Sequence, residues 1–164
     1  MNLRTAPHPD DLAATRAWFD ALATHCRAID YEGARAIFAD DLIAFGTFTD
    51  FMHGQRLTED KQWRNVWGTI RNFTVKTDTV EAIVSADRLT AIGMGVWTSD
   101  GFHPNGDRFD RGGRATVGLG RKKIGEPFRN DPPPGNDNDK PPPKQAETDE
   151  PQRNRWPFGR RKGP

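Results

Sequence analysis

The sequence is poor in the features that would settle its class at once. Its 164 residues hold one cysteine, Cys26, so an internal disulfide is excluded and no cysteine pair exists for a structural zinc. Net charge is +1, which leaves no global field to recruit nucleic acid or an anionic membrane. No apolar run approaches the ~20 residues needed to cross a bilayer, and nothing before Pro9 has the pattern of a signal peptide. A cytoplasmic protein is the expectation. Hydrophobic residues make up only 34% of the chain, and the deficit is concentrated at its end. Ten of the 13 prolines lie from Pro127 onward, including Pro132-Pro133-Pro134 and Pro141-Pro142-Pro143. Such a stretch cannot bury enough apolar surface to offset its ordering entropy, so residues 129–164 read as a disordered Pro-rich tail. Arg153, Arg155, Arg160, Arg161 and Lys162 make the end of that tail basic, with Trp156 and Phe158 between them. A solvated tail is favoured there over a nucleic-acid or SH3-like contact.

What is present is periodicity. Residues 89–98 alternate, placing Ile92, Met94 and Val96 on one face and Gly93, Gly95 and Trp97 on the other. Residues 109–119 alternate as well, with Phe109, Ala115, Val117 and Leu119 on the apolar side and Asp110, Arg114 and Thr116 opposite. Asp100-Gly101 and Asn105-Gly106-Asp107 are turn formers between them, so the region reads as a long antiparallel hairpin. A lone hairpin is unstable in water, and the preceding helices are its natural cover.

Pro9 followed by Asp10 and Asp11 opens a first helix, whose stripe is Leu12, Phe19, Leu22, Cys26 and Ile29. His25, beside the stripe, reads as a structural histidine. Asp30 is a plausible N-cap for a second, shorter helix ending at Asp40-Asp41. Residues 42–49 read as a strand anchored by Phe45 and interrupted at Gly46. Thr58 opens a third helix, with Trp63, Val66, Trp67 and Ile70 on one face. These tryptophans are core residues first, and the sharper reading makes them the wall of an apolar cavity. Residues 73–77 and 80–84 add another strand.

Phe38-Ala-Asp-Asp-Leu-Ile-Ala-Phe-Gly-Thr47, with Trp63 through Phe73, Ala91 through Trp97 and Gly113-Arg-Ala-Thr-Val117, resembles the SnoaL-like branch of the nuclear-transport-factor-2-like (ketosteroid isomerase-like) superfamily. The resemblance spans residues 11–128. It implies an α+β domain over 9–128, in which a cone-shaped, bent antiparallel sheet wraps three N-terminal helices around an apolar pocket, usually in a dimer. Such domains include ketosteroid isomerases, polyketide cyclases, dehydratases, epoxide hydrolases and members without shown activity, so fold follows more firmly than function. Two departures stand out. The positions matching the isomerase base and oxyanion-hole tyrosine are Gly46 and Leu22, which can serve neither role. The final strand of the family, due after residue 128, is missing, because the chain turns into Arg129-Asn-Asp-Pro-Pro-Pro134.

Candidate catalytic residues are Asp50, His53, Asp110 and Arg114, and candidate pocket residues are Phe45, Trp63, Trp67, Phe73, Met94 and Trp97. An Asp110–Arg114 pair on the wet face competes with catalysis, and Asp50 and His53 equally suit a turn. Asp100, His103, Asp107 and Asp110 match no metal-ligand spacing, and no metal or cofactor is expected. The function expected is binding or transformation of a small hydrophobic molecule. A non-catalytic dimerising interaction module, with a partner-binding Pro-rich tail, is the alternative. A carboxylate or histidine lining a closed cavity would favour the enzyme, and a filled interior the module.

Overall fold

The computed structural model describes residues 6–46 and 50–130. Thr47, Phe48 and Thr49 of the expected first strand, and the tail from residue 131, lie outside the described residues.

Helix α1 (Pro9–Ala28) begins as expected, with Pro9 in its first turn and the His8 ring accepting the Asp10 backbone N–H. It buries Asp11, Thr15, Trp18, Phe19, Ala23 and Cys26, a stripe that shifts the expected one toward Trp18 and leaves Ile29 exposed. Helix α2 (Tyr31–Ile37) is capped by Asp30, whose carboxylate accepts the Gly33 N–H at 2.9 Å. The same carboxylate pairs with His25 Nδ1 at 2.9 Å, so that histidine is structural, as anticipated. The third helix, residues 55–69, is irregular. It opens as an α-turn (Gln55–Thr58), widens into a π-turn (Glu59–Trp63) and closes as a 3-10 turn (Trp67–Thr69).

The main sheet is antiparallel and is built on β5 (Thr90–Phe102). Strands β3 (Arg71–Val75) and β4 (Glu81–Val84) lie end to end along one edge of β5, separated by a 3-10 turn at Thr77–Thr79. Along the other edge β6 (Arg108–Gly120) pairs with β5 over its full length, from Phe102↔Arg108 to Thr90↔Gly120. The turn is residues 103–107, so Asp100-Gly101, expected as a turn, is strand. A separate two-stranded ribbon joins β1 (Ile43–Phe45) to β2 (Phe51–His53). The chain is therefore α+β, with three helices against antiparallel sheets and a main sheet that does not close.

The helices cover one face of the β5–β6 hairpin, and it is the glycine face. Ala91, Gly93, Gly95 and Trp97, opposite Leu119, Val117, Ala115 and Gly113, turn toward the helices. A Cβ on Gly93 would come within 2.9 Å of Thr15 and 3.1 Å of Phe19, so glycine there lets α1 lie directly on the sheet. Ile92, Met94 and Val96, the more apolar set, face outward, with Ile92 and Val96 more than 40% exposed. Hydrophobicity alone favours the opposite assignment. The close approach of α1 decides it.

Residues 122–128 form no strand, although Phe128 is buried against the core. Among the described residues, the position of the expected last strand is taken by Arg129 and Asn130. Arg129 exchanges both backbone bonds with Gly120 (2.7 and 2.8 Å), and Asn130 bonds Ile37 and Ala39 on its other side (3.0 and 2.9 Å).

Candidate functional site

The interior between helices and sheet is occupied by rings. Trp63 and Trp67 stack at 5.3 Å, Tyr31 stacks on Trp67 at 5.5 Å, Phe38 meets Trp63 at 4.9 Å and Trp18 at 5.3 Å, and Phe73 meets Trp97 at 5.6 Å. Four of the six expected pocket residues, Trp63, Trp67, Phe73 and Trp97, are thereby brought together, mainly as packing. Trp67 and Phe73 also wall a cavity of about 400 Å³ with Cys26, Ile29, Ile70 and Arg71. Burial pushes the Cys26 thiol up to about 12, so it stays protonated and unreactive in that wall.

The other two pocket assignments are corrected. Met94 lies on the outer sheet face because its pleat is shared with Ile92 and Val96, opposite Thr116. Phe45 is 72% exposed and packs on Phe51 at 4.6 Å on a bare face of the β1–β2 ribbon, so it anchors no core.

The four candidate catalytic groups are dispersed and exposed. Asp50 sits in the bend before β2, and His53 ends β2 beside Phe51. Asp110 and Arg114 share the outer face of β6, away from the helices, and do not pair with each other. Asp110 instead receives Arg108 Nη2 at 2.8 Å, and that same nitrogen reaches Asp100 at 2.7 Å. Arg108 and the Asn72 amide hold the Asp100 carboxyl below the usual carboxylate range. No acid–base pair is assembled from these groups.

A second cavity, of about 430 Å³, lies between α1 and the segment 124–128. Its apolar lining is Ala14, Ala17, Trp18, Ala21, Ile37 and Phe128, and the charged side chains that also line it are Asp10, Arg88, Arg121 and Glu126. Successive small residues on α1 create the concavity, and Phe128 on the returning chain roofs it. Beside it lies the most buried charge cluster of the molecule among the described residues. Asp11, fully buried, accepts Arg88 Nε at 2.7 Å and Arg88 Nη2 at 3.0 Å, and also takes Arg121 Nη2. Arg121, 5% exposed, further donates from Nε to the Arg88 carbonyl and lies over the Phe128 ring at 4.4 Å. The hydrogen bond from Arg88 is the leading cause that holds the Asp11 carboxyl below its ordinary value. An ionised carboxylate saturated by two guanidiniums orients the walls, but it is unsuited to take or give a proton. A similar knot joins Glu59 to Arg35 (2.7 and 2.9 Å) and Arg64 in the third helix.

In the sequence Asp11 is only a helix-start residue. Its partners are non-local, at 77 and 110 positions, and no local periodicity signals such pairings.

No family model matches the sequence, and no curated protein matches it. Solved structures do resemble it. Aln2 from a Streptomyces species superposes with a TM-score of 0.59 at 14% identity, over 76% of this chain and 88% of that one. A nuclear transport factor 2-like superfamily protein from Salmonella enterica gives 0.58 at 13% identity, over 73% and 85%. A ketosteroid isomerase-like protein from Erwinia carotovora atroseptica gives 0.57 at 18% identity, over 74% and 92%. Such identities speak to fold alone, and the fold is that of the nuclear-transport-factor-2-like and ketosteroid isomerase-like proteins.

Proposed function

We propose that the chain is a non-catalytic pocket protein that binds a small, mainly apolar molecule between α1 and residues 124–128. The observation that carries this reading is the 430 Å³ cavity itself, within the size range of small-molecule sites, with alanines, Trp18, Ile37 and Phe128 in its lining and a few charged groups beside them. The dispersal of Asp50, His53, Asp110 and Arg114 supports binding over chemistry. The test uses Trp18 as reporter. Planar apolar compounds are screened for tryptophan quenching and for a rise in melting temperature, which binding to the native state produces by mass action. Ala17→Trp, which fills the cavity, should abolish both responses. A screen in which no compound moves either signal defeats the reading.

A second reading, a dimerising interaction module, is favoured by a different observation: the outer sheet face leaves Ile83 50%, Ile92 44% and Val96 41% exposed side by side. A homodimer through this face should appear by light scattering and be dissolved by Ile92→Glu. A wild-type chain that stays monomeric at all concentrations removes this reading.

A further inference from the structure

The two bridges made by Arg129 and Asn130 mark the start of a slot. This segment runs antiparallel to β6 at Gly120 and parallel to the chain at Phe38. A strand continuing beyond Asn130 would therefore travel along β6 on one side and toward β1 on the other. Among the described residues β6 has no backbone partner along this edge from Arg108 to Leu119, and β1 is paired only with β2. Gly120 turns its N–H and carbonyl into the slot, and alternation turns those of Gly118, Thr116, Arg114 and Gly112 the same way. The Asn130 side-chain amide already donates to the Gly118 carbonyl there. On the β1–β2 ribbon, Ile43, Phe45 and Phe51 stand at 63%, 72% and 59% exposure.

We propose that this slot is a strand-addition site for an extended segment of another protein, one that alternates apolar and polar residues and sets a carboxylate opposite Arg114. The chain's own continuation is a poor occupant, because Pro132-Pro133-Pro134 follow Asp131 and supply no backbone donor. A second copy is poor as well. Two β6 edges paired about the strand centre set Arg114 against Arg114, and like charges directly opposite are unfavourable. The chemistry of the occupant follows from its neighbours on β6. Toward the helices it meets Phe109, Ala115 and Val117, which favour apolar side chains, with Arg111 turned onto the Trp97 ring between them, and on the outer face Arg114 favours a carboxylate, whereas Arg108 is already held by Asp100 and Asp110. Backbone bonds would supply affinity, and this alternation specificity.

The test keeps the full chain. Fluorescence anisotropy is followed with a labelled nine-residue peptide alternating valine and glutamate, and with a control of the same composition in two blocks. Hydrogen exchange is read at Gly112, Arg114, Thr116 and Gly118. The expectation is fast exchange in the isolated chain, protection on adding the alternating peptide, and saturable binding that the block peptide lacks. Thr116→Pro, which removes one slot-facing donor, should weaken binding at least about tenfold. Should that variant fail to fold, Arg114→Glu, at an exposed position, should weaken the acidic peptide instead. Three results overturn the proposal: those amides already protected in a monomeric chain, which would make the tail the occupant; a dimer dissolved by Thr116→Pro, which would make it a second copy; or open amides with no preference for the alternating peptide.

Discussion

Asp11 and Arg88 stand 77 positions apart and form a two-pronged ion pair, with Nε to Oδ2 at 2.7 Å and Nη2 to Oδ1 at 3.0 Å. Arg88 makes it from a left-handed backbone conformation, φ 60°, in the turn before β5. With Arg121 added, the cluster ties the start of α1 to both strands at the open end of the long hairpin.

Asp11→Asn should therefore cost about 3–5 kcal/mol at neutral pH, because the buried Arg121 loses its counter-charge while the shape is kept. The effect should depend on pH. The folded state lowers the Asp11 pKa from an ordinary value of 3.8, so its stabilisation is present above that value and is lost as pH falls below it. Urea unfolding at several pH values should show the gap between wild type and variant narrowing in acid. A gap that does not change with pH would contradict this account.

Trp67 is 6% exposed, with rings stacked on both of its neighbours, Trp63 and Tyr31. Trp67→Ala should destabilise by about 3–5 kcal/mol. A loss below about 1 kcal/mol in chemical denaturation would show that the ring stack closes over the void without strain.

Replacing a helical glycine by alanine ordinarily stabilises by up to about 1 kcal/mol. Gly33→Ala should not, because the new methyl would fall 2.2 Å from Asp30 Oδ2 and 2.4 Å from the His25 ring, displacing the cap. Gly68→Ala is the control, since nothing lies within 4 Å of its added Cβ. Paired thermal melts should find Gly33→Ala the less stable of the two, and the reverse order would rule out the cap as the cause.

Cys26 is 3% exposed, and burial pushes its thiol up to about 12. Native protein at pH 8 should react with iodoacetamide far more slowly than urea-unfolded protein. Equal rates would mean that the cavity at Trp67 and Phe73 admits the reagent and ionises the thiol.

Short-range signals were legible in the sequence. The Asp30 cap, the Trp63–Trp67–Ile70 stripe and the two strands of the hairpin all follow from spacing that neighbouring residues enforce. Long-range choices were not. Alternation shows that β5 has two faces, but which face goes inside depends on how closely α1 can approach, and that is decided by Gly93 meeting Thr15. Phe45 is apolar enough for a core and yet is bare, because the β1–β2 ribbon forms its own small sheet. The cavity roofed by Phe128 and the Asp11 cluster need partners more than 70 positions apart, which no local pattern encodes.

The Asp11 cluster also sets an order of events during synthesis. Helix α1 is made before Arg88, Arg121 and Phe128, which neutralise its buried carboxylate and pack with Trp18. The β5–β6 hairpin, whose strands meet across five turn residues, can zip as soon as it emerges. Until Arg121 and Phe128 follow, the β3–β5–β4 sheet covers α1 only in part, with Asp11 lacking one of its two guanidiniums and Trp18 its Phe128 neighbour, and a nascent chain stalled before residue 121 presents that gap to the chaperone machinery.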